Sequence, residues 1–103
     1  MKKFRASEFV AEQAWGSVLL ADFEDVTVKL HWTDQPYRWH ANTGREVFTV
    51  LDGCVDMHVR ENGQENILRL EAGDGVSVEP GDEHVAHPRG PARILVVERK
   101  DSE

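Results

Sequence analysis

Residues 26–32, VTVKLHW, alternate Val26, Val28, Leu30 and Trp32 with Thr27, Lys29 and His31. A period of two puts successive side chains on opposite faces of a strand. EVFTVL and CVDMHV carry the same alternation on either side of Asp52-Gly53. Asn62-Gly63, a dipeptide suited to a two-residue hairpin, then leads into NILRL. AGDG, VSV, Pro80-Gly81, HVAH and RILVVE continue the series. Turn residues recur about every ten positions, which predicts a small all-β sandwich or barrel. Only SEFVAEQ, near the N-terminus, reads as a helical turn.

Strand parity sorts the side chains. In CVDMHV, Val55, Met57 and Val59 share one face, and Cys54, Asp56, His58 and Arg60 share the other. His58 is therefore expected on the outer, wetter face, and His31 on the polar face of its own strand, both as surface or interface histidines. His87 follows His84 by three positions, so a regular strand turns it the opposite way. Trp39 and Phe48 are candidates for a pocket mouth.

Composition narrows the class. The chain of 103 residues has room for one domain, here taken as 1–103. Its 40% apolar and 30% charged residues suit a globular protein. A net charge of -7 opposes binding to a polyanion, so no nucleic-acid partner is expected. Apolar runs such as Ile94–Val97 are four residues long, far short of the ~20 needed for a membrane span. MKKFRASEF lacks the apolar core of a secretory signal. The single cysteine, Cys54, makes no internal disulfide, which suits a cytoplasmic protein.

One stretch stands apart from ordinary strand-and-turn chemistry. In WHANTGREVFTVLDG, His40 and Asn42 lie two apart and so project from one face of a strand. A turn at Thr43-Gly44 leads to Glu46, whose same-face neighbours are Phe48 and Val50. A carboxylate on an apolar face needs a cation or a hydrogen-bond donor. Further on, His84 follows the Pro80-Gly81 turn, with Ala86 continuing its face. Two imidazoles and a carboxylate match the ligand set used for iron(II), zinc or manganese. The same residues also suit satisfied core histidines and a Glu46–arginine pair. No phosphate-binding loop or nucleophile elbow is present, and Cys54 and His58 lie about 13 Å apart along a strand, too far for a catalytic dyad.

HANTGREVFTVLDG resembles the first cupin motif, H-x-H-x3-E-x6-G, with His40, Glu46 and Gly53 in register. GDGVSVEPGDEH resembles the second, G-x5-P-x-G-x2-H, through Gly73, Gly81 and His84. With the Trp39-His40 pair and the closing ARILVVE, the likeness extends from Trp15 to Glu98 and is to small single-domain cupins, often labelled mannose-6-phosphate isomerase-like. It implies a double-stranded β-helix, or jelly-roll barrel, with one divalent transition metal (iron, zinc, manganese or nickel) inside. It also implies a homodimer paired through a sheet edge. Carried over residue by residue, the metal set is His40, Glu46 and His84, with Asn42 standing where the family has its second histidine. An amide oxygen is a weaker ligand than imidazole. Glu79 stands where the family has proline, displaced here to Pro80.

Two functions follow as expectations. One is a metal-dependent enzyme acting on a small organic substrate. The other is a non-catalytic cupin that binds or senses a small ligand with a degraded metal site. Apart from the ligands, no residue is placed as a general base, and the sequence names no reaction.

Overall fold

A computed structural model describes residues 1–102. After one 3-10 turn at Ala6–Glu8, nine strands follow: β1 (Gly16–Asp22), β2 (Val26–Thr33), β3 (His40–Ala41), β4 (Glu46–Asp52), β5 (Cys54–Glu61), β6 (Gln64–Glu71), β7 (Gly75–Val78), β8 (Glu83–Pro88) and β9 (Ala92–Arg99). They form two antiparallel sheets, ordered β1-β2-β9-β4-β7 and β3-β8-β5-β6. The expected all-β jelly roll is the fold observed, and the N-terminal helical turn is a single turn of 3-10 type.

Inward parity builds the core. Phe48 and Val50 of β4, Ala92, Ile94 and Val96 of β9, Val55 and Met57 of β5, Leu70 of β6 and Ala86 of β8 form one buried cluster between the sheets. Each strand contributes alternate residues, as a sheet with one buried face requires. The burial pattern of β4 places Glu46, Phe48 and Val50 in one inward row.

Two turns set the registers. Asn62 (φ 50°) and Gly63 (φ 78°) join β5 to β6 as a two-residue loop closed by the Glu61–Gln64 pair, the left-handed pair that a type I′ hairpin requires. Gly53, at φ 87°, turns β4 into β5 where the backbone of Pro91 and Ala92 lies hard against it. A Cβ at Gly53 would sit 2.6 Å from the Pro91 carbonyl oxygen, whereas one at Gly63 would meet nothing within 4 Å.

Two elements escaped the strand pattern, β1 and the two-residue β3. GSVLLAD in β1 lacks alternation, and the strand is held by its pairing with β2, with a register shift between Leu19 and Ala21. β3 is too short to carry a period and is defined by pairing with β8.

The two glycines separate backbone conformation from close approach. Gly63→Ala is expected to lose about 1 kcal/mol, the ordinary cost of a left-handed L-residue. Gly53→Ala, which adds a clash with fixed backbone, is expected to lose at least ~2 kcal/mol more. Urea denaturation of the two variants measures the difference, and equal losses would mean that the β8–β9 turn does not press on Gly53.

Candidate functional site

Pairing brings the sequence-distant residues together. His40 of β3 lies directly across from His84 of β8, and their rings stand 4.4 Å apart. Glu46, the first residue of β4, pairs with Val78 on one side and Glu98 of β9 on the other. Asn42 sits in the β3–β4 connection, where its carbonyl accepts a hydrogen bond from the Gly81 amide at 3.1 Å. The Pro80-Gly81 turn therefore ties the His40–Asn42 segment to the strand bearing His84. Gly81 has φ 90°, and the Asp82 amide donates to the Glu79 carbonyl, closing a turn of type II character. Glu79 itself pairs with Arg45 at the surface, 2.9 Å away.

All four expected residues line one cavity of about 230 Å³. Asn42, Glu46 and His84 are buried, and His40 is partly buried. The remaining walls are Trp15, His31, Tyr37, Phe48, Met57 and Ala86, with Val96, Glu98 and Ser102. No lysine or arginine is among the described residues that line it.

The imidazoles are oriented from behind. His40 Nδ1 lies 2.9 Å from the Arg38 carbonyl, and His84 Nδ1 lies 2.9 Å from the Asp82 carbonyl. A carbonyl accepts only, so each Nδ1 carries the proton and each neutral ring keeps its Nε2 lone pair. Metal-binding histidines are held in this manner. Burial holds the His40 pKa below the usual histidine value, partly offset by the Arg38 carbonyl.

Glu46 is held by a donor from the loop before it. The Asn42 amide nitrogen donates to Glu46 Oε1 at 3.1 Å, while His84 Nε2 stands 3.7 Å from the same oxygen without donating to it. Burial pushes the Glu46 carboxyl upward in pKa, and the Asn42 bond opposes that shift. Glu98 stands directly across from Glu46 on β9, and the two carboxyl groups act on each other's protonation. Burial first, and the neighbouring Glu46 charge second, raise Glu98 to about 7. One proton between two carboxyl groups relieves a repulsion that two ionised groups would suffer.

Several features fit a divalent cation. Asn42 Oδ1 is buried with no hydrogen-bond partner among the described residues, while its amide nitrogen faces Glu46. An orphaned acceptor beside two imidazoles suits a cation. The 3.7 Å between His84 Nε2 and Glu46 Oε1 is also within the span of two metal–ligand bonds of about 2.1 Å each. The chemistry of the set therefore fits. Among the described residues, however, no three histidine, cysteine, aspartate or glutamate side chains close around one point as a ready cage. Asn42 is the member that makes the set weak.

Other expectations resolve as follows. His87 faces away from the cavity and packs on His58, with ring centroids 4.2 Å apart, as strand parity predicts for both. Phe48 lines the cavity, but Trp39 does not; its ring lies under the Arg60 guanidinium at 4.0 Å. His31 corrects the surface reading of that residue. It lines the cavity, and its Nδ1 stands 3.2 Å from the Trp15 carbonyl. The polar face of β2 is turned toward the cavity, so polarity misled where the barrel interior is itself polar. Glu98 was missed altogether, although the alternation Ile94, Val96, Glu98 in ARILVVE contains the signal that would have found it.

Residues 25–98 match the Cupin_2 family model, described as a cupin domain. No curated protein matches the chain. Among solved structures, it is similar to a cupin-2 domain containing protein from Shewanella frigidimarina at 25% identity and a TM-score of 0.76, covering 87% of this chain and 85% of that one. A cupin superfamily protein from Desulfitobacterium hafniense is similar at 18% identity and a TM-score of 0.77, over 93% and 87% of the two chains. Hydroquinone 1,2-dioxygenase from Sphingomonas, solved with 4-hydroxybenzoate bound, is similar at 11% identity and a TM-score of 0.74, over 92% of this chain and 70% of that one. With the family model spanning most of its length, and with both motifs converging on one cavity, the chain belongs to the cupin family.

Proposed function

We propose that this chain is a single cupin domain over residues 1–103 that takes up a divalent transition metal weakly in its barrel and binds a small organic ligand beside it. His40, Glu46 and His84 would hold the metal, with Asn42 as the fourth and weakest donor through Oδ1. One observation carries the reading: a buried amide oxygen without a partner stands among two imidazoles whose Nδ1 protons are already committed. Bound there, the ion supplies Lewis acidity toward a ligand in the cavity. The chain itself excludes bulk water with Phe48 and Met57, orients both rings through backbone carbonyls and keeps a proton between Glu46 and Glu98. Metal-dependent catalysis on a small substrate is the activity this arrangement supports.

A second reading is favoured by a different observation. The Asn42 amide already donates to Glu46, and the carboxyl of Glu98 opposite it is raised to about 7, so the pair can hold a proton in place of a cation. In that case the protein is a non-catalytic cupin that binds or senses its ligand with no metal.

Localisation and assembly complete the proposal. Cys54 is a free thiol, which agrees with work in the reducing cytoplasm, and among the described residues no helix is long and apolar enough to cross a membrane. The protein is a homodimer. Val18 and Leu19 of β1 and Ile67 and Leu68 of β6 are exposed on strands at the sheet edges. Exposed apolar edges are normally covered. Light scattering is expected to return twice the 11.7 kDa mass of the chain, and a monomer mass throughout the micromolar range would contradict it.

The metal reading makes a paired prediction. His84→Ala is expected to abolish zinc binding, because the ligands left hold a divalent ion poorly. Asn42→His is expected to tighten it by at least about tenfold, or ~1.4 kcal/mol, through the stronger imidazole donor. Competition against a chromogenic chelator reads both. If folded Asn42→His binds no metal, the metal-free reading holds. If it binds zinc only as wild type does, residue 42 does not face the ion.

A further inference from the structure

The cavity walls are more specific than the metal question. Trp15 and Tyr37 meet edge to face with ring centroids 5.5 Å apart, and Tyr37 meets His40 in the same manner at 5.1 Å. With the tilted ring of His84 4.4 Å from that of His40, a continuous series of rings runs from Trp15 to the paired histidines. Phe48, Met57 and Val96 supply apolar surface among them. Trp15 also holds a left-handed backbone, φ 63°, which is unusual for a bulky residue, and its buried indole N–H has no acceptor. Strain and an orphaned donor at one cavity residue mark a place shaped for something other than the core alone.

Around the paired histidines, away from the Trp15 N–H, the polar groups have one character. The two Nε2 lone pairs, Asn42 Oδ1 and the carboxyl groups of Glu46 and Glu98 are chiefly acceptors. Among the described residues no arginine or lysine lines the space with them, and the cation that acts on Glu98, Lys29 on the His31 face of β2, stands outside the lining. A phosphate or carboxylate brought into this space would face the Glu46–Glu98 carboxyl groups at close range with no cation in contact, in surroundings where such repulsion is poorly screened. A hydroxyl, which donates, meets what the site offers. At about 230 Å³, the space suits a molecule built on one ring.

We propose that the ligand of this cavity is a small aromatic molecule that carries a hydroxyl and no negative charge, its ring lying against Trp15 and Tyr37 and its hydroxyl directed at His40, His84 and the carboxyl pair. Anions such as sugar phosphates and arenecarboxylates are excluded by the Glu46–Glu98 pair. The inference rests on the ligand-binding half of the function proposed above and does not require the metal.

Calorimetric titration of chelator-treated protein with phenol, benzoate and mannose 6-phosphate at pH 7 tests it. Phenol is neutral at that pH, and benzoate is the same ring with one negative charge. Phenol is expected to bind at least about tenfold more tightly than benzoate, with no detectable binding of the sugar phosphate. In a Glu46→Gln/Glu98→Gln double variant, which removes the charge the pair carries, benzoate is expected to gain several-fold while phenol changes less. Benzoate or mannose 6-phosphate binding as tightly as phenol to wild type, or no phenol binding up to millimolar concentration, would overturn the proposal. Unchanged benzoate affinity in the folded double variant would overturn the charge argument. If that variant does not fold, the wild-type ranking alone decides. Zinc titration of the same preparation keeps the two ideas apart, since phenol selectivity without zinc binding sinks only the metal, and zinc binding without phenol sinks only this proposal.

Discussion

Glu46 occupies the inward row of β4, in line with Phe48 and Val50, where the alternation of the strand would otherwise place another apolar side chain. Leaving a carboxyl group there unpartnered would cost several kcal/mol or force it to neutralise. Much of the local structure answers that demand. Asn42 donates to Glu46 from the preceding loop, and Glu98 faces it from the neighbouring strand. The cavity exists because these groups occupy the end of the barrel interior in place of close-packed hydrocarbon. The metal proposed above would be the further partner of Glu46.

The sheets supply precision that the loop alone could not. His40 belongs to a strand of only two residues, yet its register opposite His84 is fixed by β8, which in turn is held by its pairing with β5. The Gly81–Asn42 backbone bond joins the two motif segments directly. Displacing the proline by one position, with Glu79 before it, leaves this bond in place, and Glu79 finds Arg45 at the surface. The departures from the family pattern therefore differ in consequence. The one at Glu79 is absorbed by the turn, and the one at Asn42 changes the donor set itself.

What the sequence made legible follows from this division. Alternation located seven of the nine strands and the inward rows of β4 and β5, because burial on one face leaves a period of two. It also put His58 and His87 outside. β1 was invisible because GSVLLAD has no alternation, and β3 because two residues carry no period. His31 and Trp39 were misplaced for a related reason: polarity was taken as exposure for the first, and proximity to His40 as access for the second. The interior is polar around Glu46, so polarity there is no guide to the outside. Glu98 lay in an apolar strand as its last inward residue, and only the pairing of β4 with β9 shows which carboxyl group it meets.

The central claim is that His40, Asn42, Glu46 and His84 form one weak cation site. Anomalous scattering from crystals soaked in zinc tests it most directly, because it locates the ion without reference to activity. The account predicts a peak within bonding distance of His84 Nε2 and Glu46, with Asn42 Oδ1 turned toward it. Crystals that show no peak in the barrel at millimolar zinc, with the Asn42–Glu46 hydrogen bond intact, would contradict it.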